Sequence, residues 1–193
     1  MAKKESTFLN MVITLFVVTM CAALALGGIY IATKEPIALA QKAKTEAALK
    51  AVVASDVTFD ATEQVKHGVA DGDTIRLNKL LSNGELVAYA VETFSRNGYD
   101  PTPIKIMVGF SLDGKITGTS LISHKETPGL GTKLGEPKFA DQFIGKDPKT
   151  FSLVVKKDGG EVDAITAATI SSRAFCEAIE SALELLNKEG GNN

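Results

Sequence analysis

From Met11 to Ala32 the sequence reads MVITLFVVTMCAALALGGIYIA, a run without a charged residue. At about 1.5 Å per residue a helix of that length reaches roughly 33 Å, which matches a hydrocarbon core of about 30 Å. The segment therefore predicts a membrane-spanning helix over 8–33. Phe8 and Leu9 extend it at one end, and Tyr30 suits the far interface. Lys3 and Lys4 precede it, which places residues 1–7 in the cytoplasm by the positive-inside rule, although Lys34, Lys42 and Lys44 follow on the other side. A cleaved signal peptide is the alternative, with Ala23-Leu24-Ala25 as a cleavage site. The apolar run exceeds the roughly 7–15 residues of a signal core, so an uncleaved anchor is the preferred reading.

The remaining chain is long enough for one domain on the far side of the bilayer. The full chain is 45% hydrophobic and 23% charged, a composition that allows a buried core. A net charge of -2 makes no electrostatic case for nucleic acid. Cys21 and Cys176 lie far apart, which supports neither a disulfide framework nor a zinc or iron–sulfur motif. His124 and His67 are too separated to suggest a metal site.

An Ala- and Lys-rich run predicts a connecting helix over 34–56, with Leu39, Leu49 and Val52 in loosely helical spacing. Val57 to Asp73 is weakly patterned and reads as loop with a short strand or helix. Strands are expected over 86–93, 104–110 and 115–123, with a turn at 97–101 and a hairpin at Asp113-Gly114. Further strands are expected at 151–155 and 162–165. A helix over 170–187 carries Phe175, Cys176, Ile179, Ala182, Leu183 and Leu186 on its apolar face. The domain spans 57–188, followed by a tail over 189–193. The fold class is α+β: a single N-terminal transmembrane helix and one extracytoplasmic domain with an antiparallel sheet and flanking helices.

Two segments could build a site. Asp163 to Ser172 (DAITAATISS) places four hydroxyls, Thr166, Thr169, Ser171 and Ser172, at the entrance of the last helix. Small residues admit a ligand to the backbone. The free N–H groups and dipole of a helix start favour a phosphate. Taken locally, the same residues also read as an N-cap by Thr169 or Ser171, with Arg173 a solvated charge. The second segment, His124 to Lys133, is a glycine-containing polar loop after a long strand. It reads either as an ordinary surface loop or as a binding loop on a rigid scaffold, with Gly131 permitting unusual backbone angles.

The pairing of Glu126-Thr127-Pro128-Gly129-Leu130-Gly131 with Asp163-x-x-Thr166-x-Ala168-Thr169 resembles the FMN-binding domain of the G component of the Rnf electron-transport complex. The C component of sodium-pumping NADH:quinone reductase is that family's relative. Ala167 departs from the family pattern, which usually has glycine there. The resemblance implies FMN joined covalently by a phosphoester to Thr169, with Thr166, Ala168 and Ile170 around the phosphate and ribityl chain. It places Glu126, Thr127, Gly129, Leu130 and Gly131 along the flavin side of the pocket and makes Asp163 part of the signal read by a flavin transferase. Arg173 and Lys133 are added as phosphate neighbours. No catalytic residue and no metal ligand is assigned. The implied function is electron relay within an ion-translocating ferredoxin:NAD⁺ oxidoreductase, as a redox subunit of a translocase rather than a complete enzyme. Its partners would be the other membrane and redox subunits, the transferase and the lipid bilayer of the inner membrane. The outer domain would be periplasmic or extracellular. The alternatives are a subunit like that of the sodium-translocating NADH:quinone reductase, a tethered module that binds flavin without a covalent bond, or a structural subunit with a degenerate motif.

Overall fold

The computed structural model describes residues 7–54, 57–68 and 74–190. Lys3 and Lys4, part of the weakly patterned stretch (69–73) and the end of the tail (191–193) lie outside the described residues. The chain divides into two compact units, Met1–Ala43 and Lys44–Asn193. Helix α1 runs over Phe8–Ala51. Its N-terminal part is long and apolar enough to cross a membrane, and its large apolar side chains, Leu15, Phe16, Leu24 and Ile29 among them, are exposed. Pro36 lies inside the helix and removes one rung of its hydrogen-bond ladder.

Five strands follow: β1 (Ala61–Gly68), β2 (Thr74–Ser82), β3 (Glu85–Ser95), β4 (Ile104–Phe110) and β5 (Ile116–Ser123). They form one antiparallel sheet in sequence order. The expected α+β class, with an antiparallel sheet and flanking helices, is the fold observed. Strand β1 falls in the weakly patterned stretch read as loop with a short strand or helix, and β2 lies where no element is expected. The signal joining β2 to β3 is local: Asn83 and Gly84 both take positive φ (52° and 81°), as a two-residue hairpin turn requires. Asp113-Gly114 forms the expected hairpin, with Gly114 at φ 84° and Ser111 N–H bonded to Lys115 O at 2.9 Å.

Side chains alternate between the two faces of the sheet, and strands β2 to β4 bury apolar residues on both. Leu77, Tyr89, Val91, Ile106, Val108 and Phe110 point to one layer, and Leu80, Ala88, Ala90 and Met107 to the other. The first layer is closed by the last helix, α3 (Thr169–Glu189), through Phe175, Ile179, Ala182 and Leu186. Phe139, on the short helix α2 (Pro137–Ala140), and Phe143 pack against Phe175 with ring centroids 5.3 and 5.6 Å away. Cys176 is part of this core, and burial pushes its thiol up to about 12, so it is a packing residue and not a nucleophile. The second layer is closed by Ala48 and Val52. Here Gly109 allows backbone to lie on backbone: a Cβ on it would sit 2.2 Å from Val52 O. Thr117 Oγ1 donates to that same carbonyl at 2.6 Å.

The strands expected at 151–155 and 162–165 shrink to a single parallel bridge between Val155 and Val162. The chain turns too tightly for more. A 3-10 turn at Lys156–Asp158 is closed by Gly159 at φ 89°, and a Cβ on Gly160 would lie 2.1 Å from Val154 O.

Candidate flavin site

A cavity of about 480 Å³ opens where three segments converge: the turn at Tyr99, the loop Glu126–Gly131 and the start of α3. Its lining brings together Glu126, Thr127, Leu130, Gly131, Ala168, Thr169 and Ile170 from the sequence-based set, and adds Tyr99, Ala167 and Ser171. The volume lies within the roughly 300–1,000 Å³ of small-molecule and cofactor sites.

One buried carboxylate holds the three segments together. Glu126, 4% exposed, accepts the Tyr99 N–H at 2.9 Å and the Asp100 N–H at 3.3 Å on Oε1. Its Oε2 accepts the Ser171 hydroxyl at 2.5 Å. Its own N–H donates to His124 Nδ1 at 3.1 Å. The glycines around it are there for space. A Cβ on Gly98 would lie 2.5 Å from Glu126 Oε1, and one on Gly131 would lie 2.5 Å from Glu126 Cβ. Gly131 therefore supplies close approach rather than the unusual backbone angles expected of it. Positive φ belongs instead to Gly129, at 76° in the turn after Pro128.

The hydroxyls of the 163–172 segment divide four tasks. Ser172 Oγ accepts the Ile165 N–H and donates to Ala168 O, both at 3.0 Å, so it fixes the loop to the helix. Ser171 holds Glu126. Thr166 is exposed and lines a neighbouring hollow with Lys133, Glu136, Lys138, Phe139 and Asp163. Thr169 is the first residue of α3 and faces the cavity. The N-cap is Ala168, without a side-chain cap bond, so neither Thr169 nor Ser171 caps the helix. The first N–H groups of a helix have no partner within it, and the residues that begin α3, Thr169, Ile170 and Ser171, line the cavity.

The cations are arranged differently from the sequence-based expectation. Arg173 is engaged by Asp158, with Nε–Oδ2 2.7 Å and Nη2–Oδ1 2.9 Å. The guanidinium beside Asp158 holds that carboxyl below its ordinary value. Lys133 lies on the neighbouring hollow. The cation at Thr169 is Lys157, whose Nζ donates to Oγ1 at 3.3 Å. No local pattern marks Lys157; it arrives through the 3-10 turn. Asp163 pairs with Lys156 at 2.8 Å, and its backbone is held on both sides by Gln142, which accepts the Asp163 N–H at 2.8 Å.

Three comparisons with known proteins bear on this arrangement. Residues 98–184 match the family of the FMN-binding domain. The G component of the ion-translocating oxidoreductase complex from Methanosarcina acetivorans is 33% identical over 194 residues, 97% of this chain and 98% of the relative. The chain belongs to this family of G components. A second member, the G component of the Na⁺-translocating ferredoxin:NAD⁺ oxidoreductase complex from Acetobacterium woodii, is 41% identical over 108 residues, 54% of this chain and 51% of that one. The chain thus spans about half the length of several curated relatives it matches. Among solved structures, the C component of the Na⁺-translocating NADH-quinone reductase from Parabacteroides distasonis shares the fold. Its TM-score is 0.57 at 19% identity, over 80% of this chain and 96% of that one.

Ala167 stands at φ 61°. An L-residue in that region costs about 1–2 kcal/mol, partly offset because alanine has less chain entropy to lose than glycine. Ala167→Gly is therefore expected to stabilise the domain by about 0.5–1 kcal/mol. A higher urea midpoint at unchanged slope checks it; a lower midpoint would show that the methyl is tolerated without strain.

Proposed function

We propose that this chain is the electron-carrying subunit of an ion-translocating ferredoxin:NAD⁺ oxidoreductase, with FMN esterified to Thr169 on the outer face of the inner membrane. The observation that carries the reading is the position of Thr169. Thr169 lines the cavity at an uncapped helix start, and its hydroxyl lies beside a lysine ammonium. These surroundings suit the negative charge of a phosphoester. Tyr99 and Ile170, 71% and 47% exposed, and Leu130 at 38% form an apolar rim suited to a planar ring system. Ala168, Thr127 and Gly131 complete the wall, and Glu126 fixes its shape. Thr166 and Gly129 lie outside the cavity lining and would act on the approach to it. Asp163, exposed and with a clamped backbone, would be read by the transferase.

When bound, FMN supplies one- and two-electron redox chemistry, which no side chain here offers. The chain's own residues bind, orient and exclude water. Thr169 accepts the phosphoryl group, and its immediate surroundings offer it no free base. Glu126, the carboxylate of the lining, is committed to three hydrogen bonds, and Lys157 is a donor. The base and a divalent metal belong to the separate transferase. The apolar helix anchors the domain, with its N-terminus cytoplasmic, and offers no ion path of its own; ion movement belongs to partner subunits. A covalent bond keeps the cofactor at a face of the membrane where a cytoplasmic pool cannot replace it.

The test is coexpression of the full chain with a flavin transferase, followed by a denaturing gel. A fluorescent band at the mass of this chain is the expected result. Flavin that is present in the native protein and lost on denaturation would support a non-covalent module instead. Absence of flavin absorbance in both states would support a structural subunit.

A further inference from the structure

We propose that Lys157 is the positioning residue for the phosphate end of this site, holding the Thr169 hydroxyl before flavin transfer and neutralising the phosphodiester afterwards. The inference rests on the reading that Thr169 is the acceptor. It comes from the register of one turn against the attachment motif. Three consecutive residues of the turn engage Asp163, Thr169 and Arg173 in the same order. Lys156 Nζ meets Asp163 Oδ2 at 2.8 Å, Lys157 Nζ meets Thr169 Oγ1 at 3.3 Å, and Asp158 takes the Arg173 fork at 2.7 and 2.9 Å. Arg173 stands one helical turn after Thr169, so clamp and lysine lie over the same face of α3.

The turn is rigid where it needs to be. Lys156 N–H bonds to Val162 O at 2.8 Å, and Val162 N–H to Val154 O at 3.0 Å. The bidentate pair adds direction more than stability, since it is half exposed. Asp158 is committed to Arg173 and Asp163 to Lys156, which leaves the middle ammonium directed at a neutral hydroxyl. An ammonium directed at a neutral oxygen, at the long end of hydrogen-bond distance, is poised for a better acceptor. A phosphodiester oxygen on Thr169 would be one.

The chemistry balances without an added redox partner. The Thr169 Oγ–H bond breaks and its proton passes to the base of the transferase. The Oγ–P bond forms, the bond from that phosphorus to the AMP oxygen of FAD breaks, and AMP leaves with the electron pair. Lys157 keeps its protons throughout. Because it donates to Oγ1, it occupies one lone pair and steers the hydroxyl proton elsewhere, and its charge opposes the negative charge that develops on oxygen.

The test uses the full chain in detergent with purified transferase, FAD and Mg²⁺, reading the initial rate of covalent FMN incorporation by in-gel fluorescence. Lys157→Gln is expected to slow incorporation by about 10-fold, and Lys157→Glu by more. Lys157→Arg should stay within about threefold of the wild type, a rescue that a purely structural role would not single out. Raising the salt should narrow the gap between wild type and Lys157→Gln. Unchanged far-UV dichroism and melting temperature are expected for all three variants, since Lys157 is exposed. Incorporation by Lys157→Gln at the wild-type rate, with peptide mapping placing the label on Thr169, overturns the role of the lysine and leaves the site intact. Label mapped to another residue, or none in the wild type, overturns the Thr169 reading and this inference with it.

Discussion

Thr169→Val is expected to give a folded protein that carries no covalent flavin. Valine keeps the volume of threonine and removes only the hydroxyl, so the substitution isolates the bond in question. The structural cost is small. Thr169 is the first residue of α3, makes no cap bond, and accepts a hydrogen bond from Lys157 at 3.3 Å. A change in stability within about 0.5 kcal/mol is expected, as for surface substitutions away from special features. Fluorescence of the band under denaturing conditions should vanish, while the dichroism spectrum stays. Thr166→Val is the matched control. Thr166 is exposed on the neighbouring hollow, three residues before Thr169, and its loss should leave flavin in place. If Thr166→Val removed all the flavin and Thr169→Val none, the attachment would lie on the other hydroxyl.

That choice between hydroxyls shows where reading a sequence stops. The density of Thr and Ser in the 163–172 segment is visible from composition, and the apolar repeat from Phe175 to Leu186 marks the helix that follows it. Strands β3 to β5 are equally legible, because alternation and the Asp113-Gly114 turn are local signals. Which way each hydroxyl points is not local. Ser171 and Ser172 are neighbours, yet one turns to Glu126 and the other back to Ala168 O. That division follows from where the loop carrying Glu126 arrives. Lys157 is hidden for the same reason: a 3-10 turn closed by Gly159 brings it across 12 positions to Thr169. The β1–β2 pair is obscure for a different reason. Strand β1 is exposed along nearly all its length, so its sequence carries little burial pattern. The Asn83-Gly84 turn between β2 and β3 is the one local signal that reveals β2.

Glu126→Ala is expected to be the most damaging single change in the site, costing about 2–4 kcal/mol. The carboxylate is the common acceptor for Tyr99 N–H, Asp100 N–H and the Ser171 hydroxyl, and it is almost wholly buried. Truncation leaves three donors facing a void whose walls include Gly98 and Gly131, positions where a side chain would collide with the carboxylate or its stem. An unsatisfied buried donor costs about 1–3 kcal/mol. Relief from burying a charge and entry of water into the open cavity recover part of the sum. Glu126→Gln separates geometry from charge. Its oxygen can still accept the two backbone N–H groups, while its amide donates to Ser171 Oγ, which then acts as acceptor. A loss of about 1 kcal/mol or less is expected for Gln, with the cavity preserved. Urea midpoints measured on the flavin-free chain check both values without reference to cofactor chemistry. Equal losses for Ala and Gln would mean that the charge matters rather than the hydrogen-bond framework. Small losses for both would mean that the three segments hold their places without Glu126, and that the cavity owes its shape to the packing of α3 on the sheet.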